Sequence, residues 1–189
     1  MSRTGNLFVI SGPSGAGKGT LVKRVLDRVP DAWVSISATT RAPRAGEVDG
    51  VSYFFLSDDQ FDDLIAQDGF LEWASVHTAR YGTPRASVEE RLAAGVQVIL
   101  EIDVQGAFQV KRYMPECHLV FIAPPSMEEL RARLEGRGSE TPEAIAERMA
   151  TAEVELAQKK KYDYTVVNDN LDEATDQLVA YIESLAERE

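Results

Sequence analysis

Residues 12–18, GPSGAGK, stand between an apolar run at 7–10 (LFVI) and an amphipathic stretch that begins at Lys18. This order of strand, glycine-rich loop and helix constrains the chain more than any other feature, because it sets the first unit of an α/β core and the chemistry at its edge. Gly12, Gly15 and Gly17 let successive backbone N–H groups turn inward, and the N-terminus of the following helix adds a favourable dipole. The spacing G-x-x-x-x-G-K suits a nucleotide phosphate, with Gly12, Pro13, Ser14, Gly15, Ala16 and Gly17 forming the cradle and Lys18 reaching the β- and γ-phosphates. A glycine-rich turn with an exposed lysine is the plain alternative, and it does not account for the strand before and the helix after.

The hydroxyl residue that usually follows the lysine as a metal ligand is Gly19 here, and Thr20 comes one position later. The ending GKGT is similar to that of adenylate kinases and some other nucleoside monophosphate kinases. That resemblance implies an ion held mostly through water and phosphate oxygens.

Composition narrows the partners. The chain has 189 residues, 44% of them hydrophobic, enough for one well-buried domain with room for an inserted lobe. Lys plus Arg total 20 against 31 Asp plus Glu, a formal net charge of −11 that repels polyanions and anionic lipid. Neither a nucleic acid nor a membrane is expected as partner, whereas a small anion suits a local cluster of positive charge. The single cysteine, Cys117, excludes an intrachain disulfide and a multi-cysteine metal site. With no signal segment and no long apolar run, a soluble cytoplasmic protein is expected; nothing in the sequence sets an oligomeric state.

The pattern along the chain alternates strand and helix. Leu21, Val22, Val25, Leu26 and Val29 keep helical spacing up to Pro30, and residues 33–38 (WVSISA) read as one strand. Residues 51–56 and 70–76 read as strands around a helix begun by a capping box from Ser57 to Gln60, and a second box, Ser87 to Glu90, is expected to start a helix ending at Gly95. Residues 96–102 and 118–123 are apolar runs suited to strands buried on both faces, with a helix at 104–114 between them. A third capping box at Ser126 opens an arginine-rich helix that breaks at Gly136 and Gly138, and Thr141 before Pro142 opens the next. A strand at 164–168 precedes a C-terminal helix with Leu171, Ala174, Leu178, Ile182 and Leu185 on one face.

Longer matches then appear. The stretches SATTRAPRAGEVDGVSYFF (37–55), FLEW (70–73), YGT (81–83), EIDVQG (101–106), FIAPPS (121–126) and RLEGRG (133–138) resemble the guanylate kinase family, over nearly the whole chain. The resemblance implies transfer of a phosphoryl group from ATP to GMP with Mg²⁺ as cofactor. It also implies an α/β fold of the P-loop type: a parallel sheet flanked by helices, an inserted mixed α/β lobe and a small helical lid. The core would cover about 1–36, 96–125 and 160–189, the GMP-binding lobe 37–95 and the lid 126–159.

Carried over by position, the acceptor phosphate would meet Arg41, Arg44, Tyr53 and Tyr81. Guanidinium forks and phenols suit a phosphate dianion because their donors are directional. The base would meet Ser37, Glu72 and Thr83, a carboxylate accepting from guanine N1–H and its amino group while a hydroxyl donates to O6. Asp103, where a strand of an open sheet ends, falls in the nucleotide and metal network, and Thr20 and Asp103 are the chain's candidates toward Mg²⁺, through water. Arg133, Arg137 and Arg148 match lid arginines that approach the ATP phosphates or bridge to GMP, and Asn168 matches a residue near adenine, with a turn residue as its other reading. Two further function classes stay in view: a catalytically inactive protein-binding domain of the same fold, which typically lacks a working P-loop, and another small-molecule P-loop kinase with a different acceptor lobe.

Other residues have plainer readings. His77 and His118 lack metal-ligand spacing and are expected to be structural. Glu101 is either a peripheral polar partner or part of the site, Arg131 is read as solvated, residues 159–161 (KKK) as a helix end, and Trp33 and Trp73 as core volume.

Overall fold

The computed structural model describes residues 5–136, 138 and 141–186. Its first strand, β1 (Leu7–Ser11), is buried along its whole length and leads through the glycine loop into α1 (Lys18–Arg28). Then come β2 (Ala32–Val34), β3 (Ala38–Thr39), β4 (Phe54–Phe55), α2 (Asp58–Ala66), β5 (Phe70–Val76), β6 (Ala79–Pro84) and α3 (Arg85–Ala93). The chain continues through β7 (Gln97–Glu101), α4 (Val104–Tyr113), β8 (His118–Ala123), α5 (Met127–Glu135), α6 (Pro142–Ala157), β9 (Tyr164–Val167) and α7 (Leu171–Ala186).

A five-stranded sheet has the order β2-β7-β1-β8-β9, and every pairing in it is parallel. Its strands are largely apolar because both faces are covered. On β1 the side chains alternate: Phe8 and Ile10 pack with Leu21, Val25, Leu178 and Ile182 of α1 and α7, while Leu7 and Val9 pack with Val88, Ala107 and Val110 of α3 and α4. The central place of β1 puts the glycine loop at the C-terminal edge of the sheet, beside the ends of β7 and β8, where Ile10 pairs with Glu101 and Ser11 with Phe121.

The smaller sheet has the order β4-β3-β6-β5. Phe61 of α2 packs on it against Ala38 and Phe70, its ring 4.4 Å from that of Phe70. The capping box of α2 is complete, with Ser57 accepting from Gln60 N and Gln60 reaching back to Ser57 N. α5 and α6 share a separate cluster of Leu130, Leu134, Ile145 and Met149, and Ser126 and Thr141 cap them as the sequence predicts.

The single strand expected at 33–38 is two strands in two sheets. Residues 32–34 pair with β7 in the large sheet, whereas Ala38 and Thr39 pair with β4 and β6 in the small one, so the chain crosses between sheets at 35–37. Local alternation reports extended backbone and not the partner strand, which is set by residues far along the chain. The strand expected at 51–56 narrows to Phe54–Phe55. α3 starts before its expected box: Pro84 occupies the cap position and Ser87 donates to Pro84 O instead of capping. β6, unanticipated because Gly82 and Pro84 interrupt its pattern, is held by its hairpin with β5. Trp73 is 39% exposed and so does not fill the core, since it lies on the edge strand β5, its ring meeting Phe61 edge to face at 6.3 Å; Trp33 is half-buried, with Arg91 over its ring at 5.1 Å.

Candidate active site

The glycine loop has the backbone its sequence asks for. Gly12 has φ +146° and Gly17 φ +90°, values that side chains strain against, and a Cβ would meet Ile122 O at 2.1 Å at the first and Asn168 Nδ2 at 2.3 Å at the second. Asn168 is buried after β9 and donates from Nδ2 to Ala16 O at 2.8 Å, so its side chain braces the loop. Lys18 folds back over the cradle, donating to Gly12 O at 2.6 Å and Pro13 O at 3.1 Å. Gly19 and Thr20, in the first turn of α1, are exposed.

The two helices expected as a lid are built onto this loop. Leu130 and Leu134 of α5 sit against Gly15. Arg133 donates to Asn168 O at 3.0 Å and to Glu129 at 3.0 Å, and Arg148 of α6 donates to the Ser14 hydroxyl at 2.6 Å. Two lid arginines therefore already lie at the loop and at the residue bracing it. Arg137 lies outside the described residues. Arg131 is exposed, 3.9 Å from Glu135, as its solvated reading requires.

The smaller sheet assembles a second cluster. Arg41, just after β3, donates from Nε to the Tyr81 hydroxyl at 3.2 Å, and its guanidinium lies over the Tyr53 ring at 5.5 Å. The rings of Tyr53 and Tyr81 meet edge to face at 6.1 Å. Arg44 is exposed, and its side chain makes no hydrogen bond or ion pair among the described residues. Glu47, a residue the sequence reading missed, accepts from both Nη atoms of Arg41 at 2.8 and 3.0 Å; the ion pair raises the Arg41 pKa and lowers that of Glu47. The signal was a carboxylate six residues after an arginine, inside the matched stretch.

Facing pairs on β5 and β6 make a third group. Glu72 pairs with Thr83 across the hairpin, and the buried Thr83 hydroxyl donates to Glu72 Oε1 at 2.7 Å. Burial raises the Glu72 pKa, the Thr83 hydrogen bond acts against that rise, and the like charge of Asp103 adds to it. Glu72 also touches α4, since a Cβ on Gly106 would meet its Oε2 at 3.0 Å. Asp103 caps α4, accepting from Gly106 N at 2.7 Å. Ser37 is half-buried, and its carbonyl accepts from Phe54 N at 2.9 Å.

Two more residues join from beyond these motifs. Burial pushes the Glu155 carboxyl of α6 upward, with Lys18 opposing and Asp103 reinforcing the shift. Burial likewise pushes the Tyr162 phenol up to about 12, and its buried hydroxyl has no hydrogen-bond partner among the described residues. Glu155 lines a cavity of about 330 Å³ with Ser14, Arg148 and His77, the last at the tip of the β5–β6 hairpin with φ +54°. A larger cavity of about 560 Å³ runs from Glu155 past Asp103 to Val76. His118 stacks on Phe8 at 5.4 Å, a structural place.

The residues suit Mg²⁺ brought in with a nucleotide. The side chain that position 19 lacks would lie 3.7 and 3.8 Å from the Glu101 carboxylate oxygens, so an acceptor stands where the usual hydroxyl is missing. Among the described residues no three His, Cys, Asp or Glu side chains gather to hold an ion unaided. Oxygen donors at a distance match an ion that keeps several waters and binds chiefly to phosphates.

A family model described as guanylate kinase matches residues 4–185. The chain is similar to the guanylate kinase of Synechococcus sp. strain CC9902, 54% identical over 183 residues that cover 97% of this chain and 98% of the relative. It is similar to that of Thermobifida fusca strain YX, 54% identical over 176 residues covering 93% and 90%. The solved structure of guanylate kinase from Anaplasma phagocytophilum shares its fold with a TM-score of 0.77 at 31% identity, over 99% of this chain and 89% of that one.

Proposed function

The chain belongs to the guanylate kinase family and is thereby an ATP:GMP phosphotransferase, and from that premise we propose which of its residues do the work. The acceptor base is read by Glu72, Thr83 and Ser37, and the acceptor phosphate by Arg41, Arg44, Tyr53 and Tyr81. Residues 12–20 and Asn168 hold ATP, and Arg133, Arg137 and Arg148 serve from the lid. The observation that carries this reading is the Glu72–Thr83 pair: a desolvated carboxylate with one buried hydroxyl, placed against the start of α4. A carboxylate kept from water this way is stabilised by ligand N–H donors, and guanine offers two side by side.

Transfer is direct and in line, from the γ-phosphoryl group to an oxygen of the GMP phosphate. That phosphate has a second pKa near ~6 and is largely dianionic at neutral pH, so neither a protein nucleophile nor a general base is needed. The chain's part is to position two polyanions and offset their repulsion. Lys18 exchanges its bonds to Gly12 O and Pro13 O for phosphate oxygens, and Arg148 and Arg133 are already at the loop or its brace. When bound with ATP, Mg²⁺ neutralises phosphate charge, and Thr20, Asp103 and Glu101 would hold its waters.

We assign residues 1–36, 96–125 and 160–189 to the core, 37–95 to the acceptor lobe and 126–159 to the lid. A cytoplasmic place fits the buried free thiol of Cys117, and among the described residues no helix is long and apolar enough to cross a membrane. The test is ADP release in a coupled assay with GMP, AMP, UMP or no acceptor. Release confined to GMP is expected. Equal release with AMP or UMP would assign a different acceptor, and silence with all of them would favour a binding domain.

A further inference from the structure

Arg41 presents five N–H groups, and four are engaged: one on Nε to Tyr81, two on Nη1 to Ala42 O and Glu47, and one on Nη2 to Glu47. Arg41 and Glu47 side chains are 17% and 21% exposed, so the pair is shielded by the aromatic rings around it. An anion beside a site for a phosphate dianion is paradoxical at first sight. Either Glu47 stands in for the phosphate and must be displaced, or it holds the arginine in place while phosphate binds elsewhere on it.

The loop decides between them. Glu47 Oε2 also accepts from Arg44 N at 2.7 Å, and Glu47 N donates to Arg44 O at 3.1 Å, closing a turn over 44–47. The carboxylate is therefore fixed by the backbone of the second arginine, independently of the first. A stand-in for substrate would have to leave these bonds and open the turn. A permanent brace need not move: the remaining N–H on Arg41 Nη2, the exposed Arg44 guanidinium and the Tyr53 and Tyr81 hydroxyls stay available to a phosphate.

We propose that Glu47 is a positioning residue for the acceptor phosphate, locking the Arg41 fork against Tyr81 and the Arg44 backbone in one turn so that GMP meets pre-oriented donors. The proposal rests on the GMP reading of this lobe. Its energetic logic is preorganisation: without the brace, a long side chain must be ordered by the substrate at the moment of binding. The effect is confined to the phosphate, because Glu47 touches none of the groups assigned to the base.

The experiment compares wild type, Glu47→Gln and Glu47→Asp. GMP is varied at saturating MgATP, and binding of GMP and of guanosine, which lacks the phosphate, is measured by calorimetry. Glu47→Gln, which keeps the shape but loses the charge-assisted fork, should raise KM for GMP roughly 10- to 50-fold, with kcat within about threefold and KM for ATP unchanged. Guanosine affinity should hold, and Glu47→Asp, folded by circular dichroism, should fall between the other two. Tighter GMP binding in Glu47→Gln would overturn the proposal in favour of a displaced stand-in. Unchanged GMP binding, or parallel loss of GMP and guanosine, would overturn it as well. Failure of the wild type itself to bind GMP would instead sink the reading of the lobe.

Discussion

The proposed donor loop and acceptor lobe would both hold phosphate oxygens, but from different materials. Residues 12–18 are consecutive and would offer backbone N–H groups, and their tolerances are those of close packing: a Cβ on Gly12 would lie 2.1 Å from Ile122 O, and one on Gly17 2.3 Å from Asn168 Nδ2. The lobe draws Arg41 from the end of β3, Tyr53 from before β4 and Tyr81 from β6, and it balances a cation with Glu47. A site made of backbone is fixed as soon as its strand and helix form. One made of side chains from three separate segments needs braces, and each brace is a place where affinity and specificity can be changed without touching the donor.

The largest expected effect lies in the lobe. Adenine reverses the donor and acceptor pattern of guanine at N1 and position 6, so with AMP Glu72 would face a lone pair and the hydroxyls would lose their acceptor. Discrimination in kcat/KM of roughly 10³-fold or more for GMP over AMP should result. Glu72→Gln should compress that ratio at least about tenfold while leaving KM for ATP unmoved. An unchanged ratio would mean that another residue reads the base, and the division of labour between the two regions would be redrawn.

Next comes the donor side. Lys18→Ala should lower turnover about 10²-fold or more, by analogy with loss of one transition-state donor, while calorimetry finds GMP affinity nearly intact. Parallel loss of GMP binding would show that loop and lobe are not separable. Undiminished turnover would remove the lysine from the reaction.

The same contrast explains what the sequence made legible. The loop, its strand and its helix were readable because every determinant is local, and β8 and β5 were read at 118–123 and 70–76 because Pro124 and Pro125 end the first run and Asp68 and Gly69 precede the second. In the lobe the motifs named Arg41, Tyr81, Glu72 and Thr83 through resemblance, yet local pattern missed β6 and joined β2 to β3. It also missed Glu47, whose place appears only once the turn at 44–47 closes, and Glu155 of α6, which shares a cavity with Ser14 of the loop. Pairing partners and buried charge are properties of the assembled fold, and periodicity carries neither.

The smallest effect sharpens the comparison most, because it concerns what the lobe gives up to read a base. Burial raises the Glu72 pKa above the ordinary glutamate value that it has in the unfolded chain. The folded state therefore holds this proton more tightly than the unfolded state. Stability from this group is greatest below the ordinary value, falls as pH rises toward the raised one, and is fully lost above it. Above the raised value the desolvated Glu72 carboxylate thus works against the ligand-free fold, although it is the residue proposed to read the base of GMP. Glu72→Gln keeps an acceptor for the Thr83 hydroxyl but removes the desolvated charge. Its ligand-free Tm at pH 7 should rise by roughly 1–3 °C, and the advantage should shrink as pH is lowered through the weakly acidic range. Addition of GMP should reverse the order, raising the Tm of the wild type above that of the variant. Calorimetric melts at several pH values, with and without GMP, measure both. A variant less stable than wild type at neutral pH without ligand would show that the Thr83 hydrogen bond, and not burial, governs Glu72, and that the base-reading pair is as fully compensated as the donor loop.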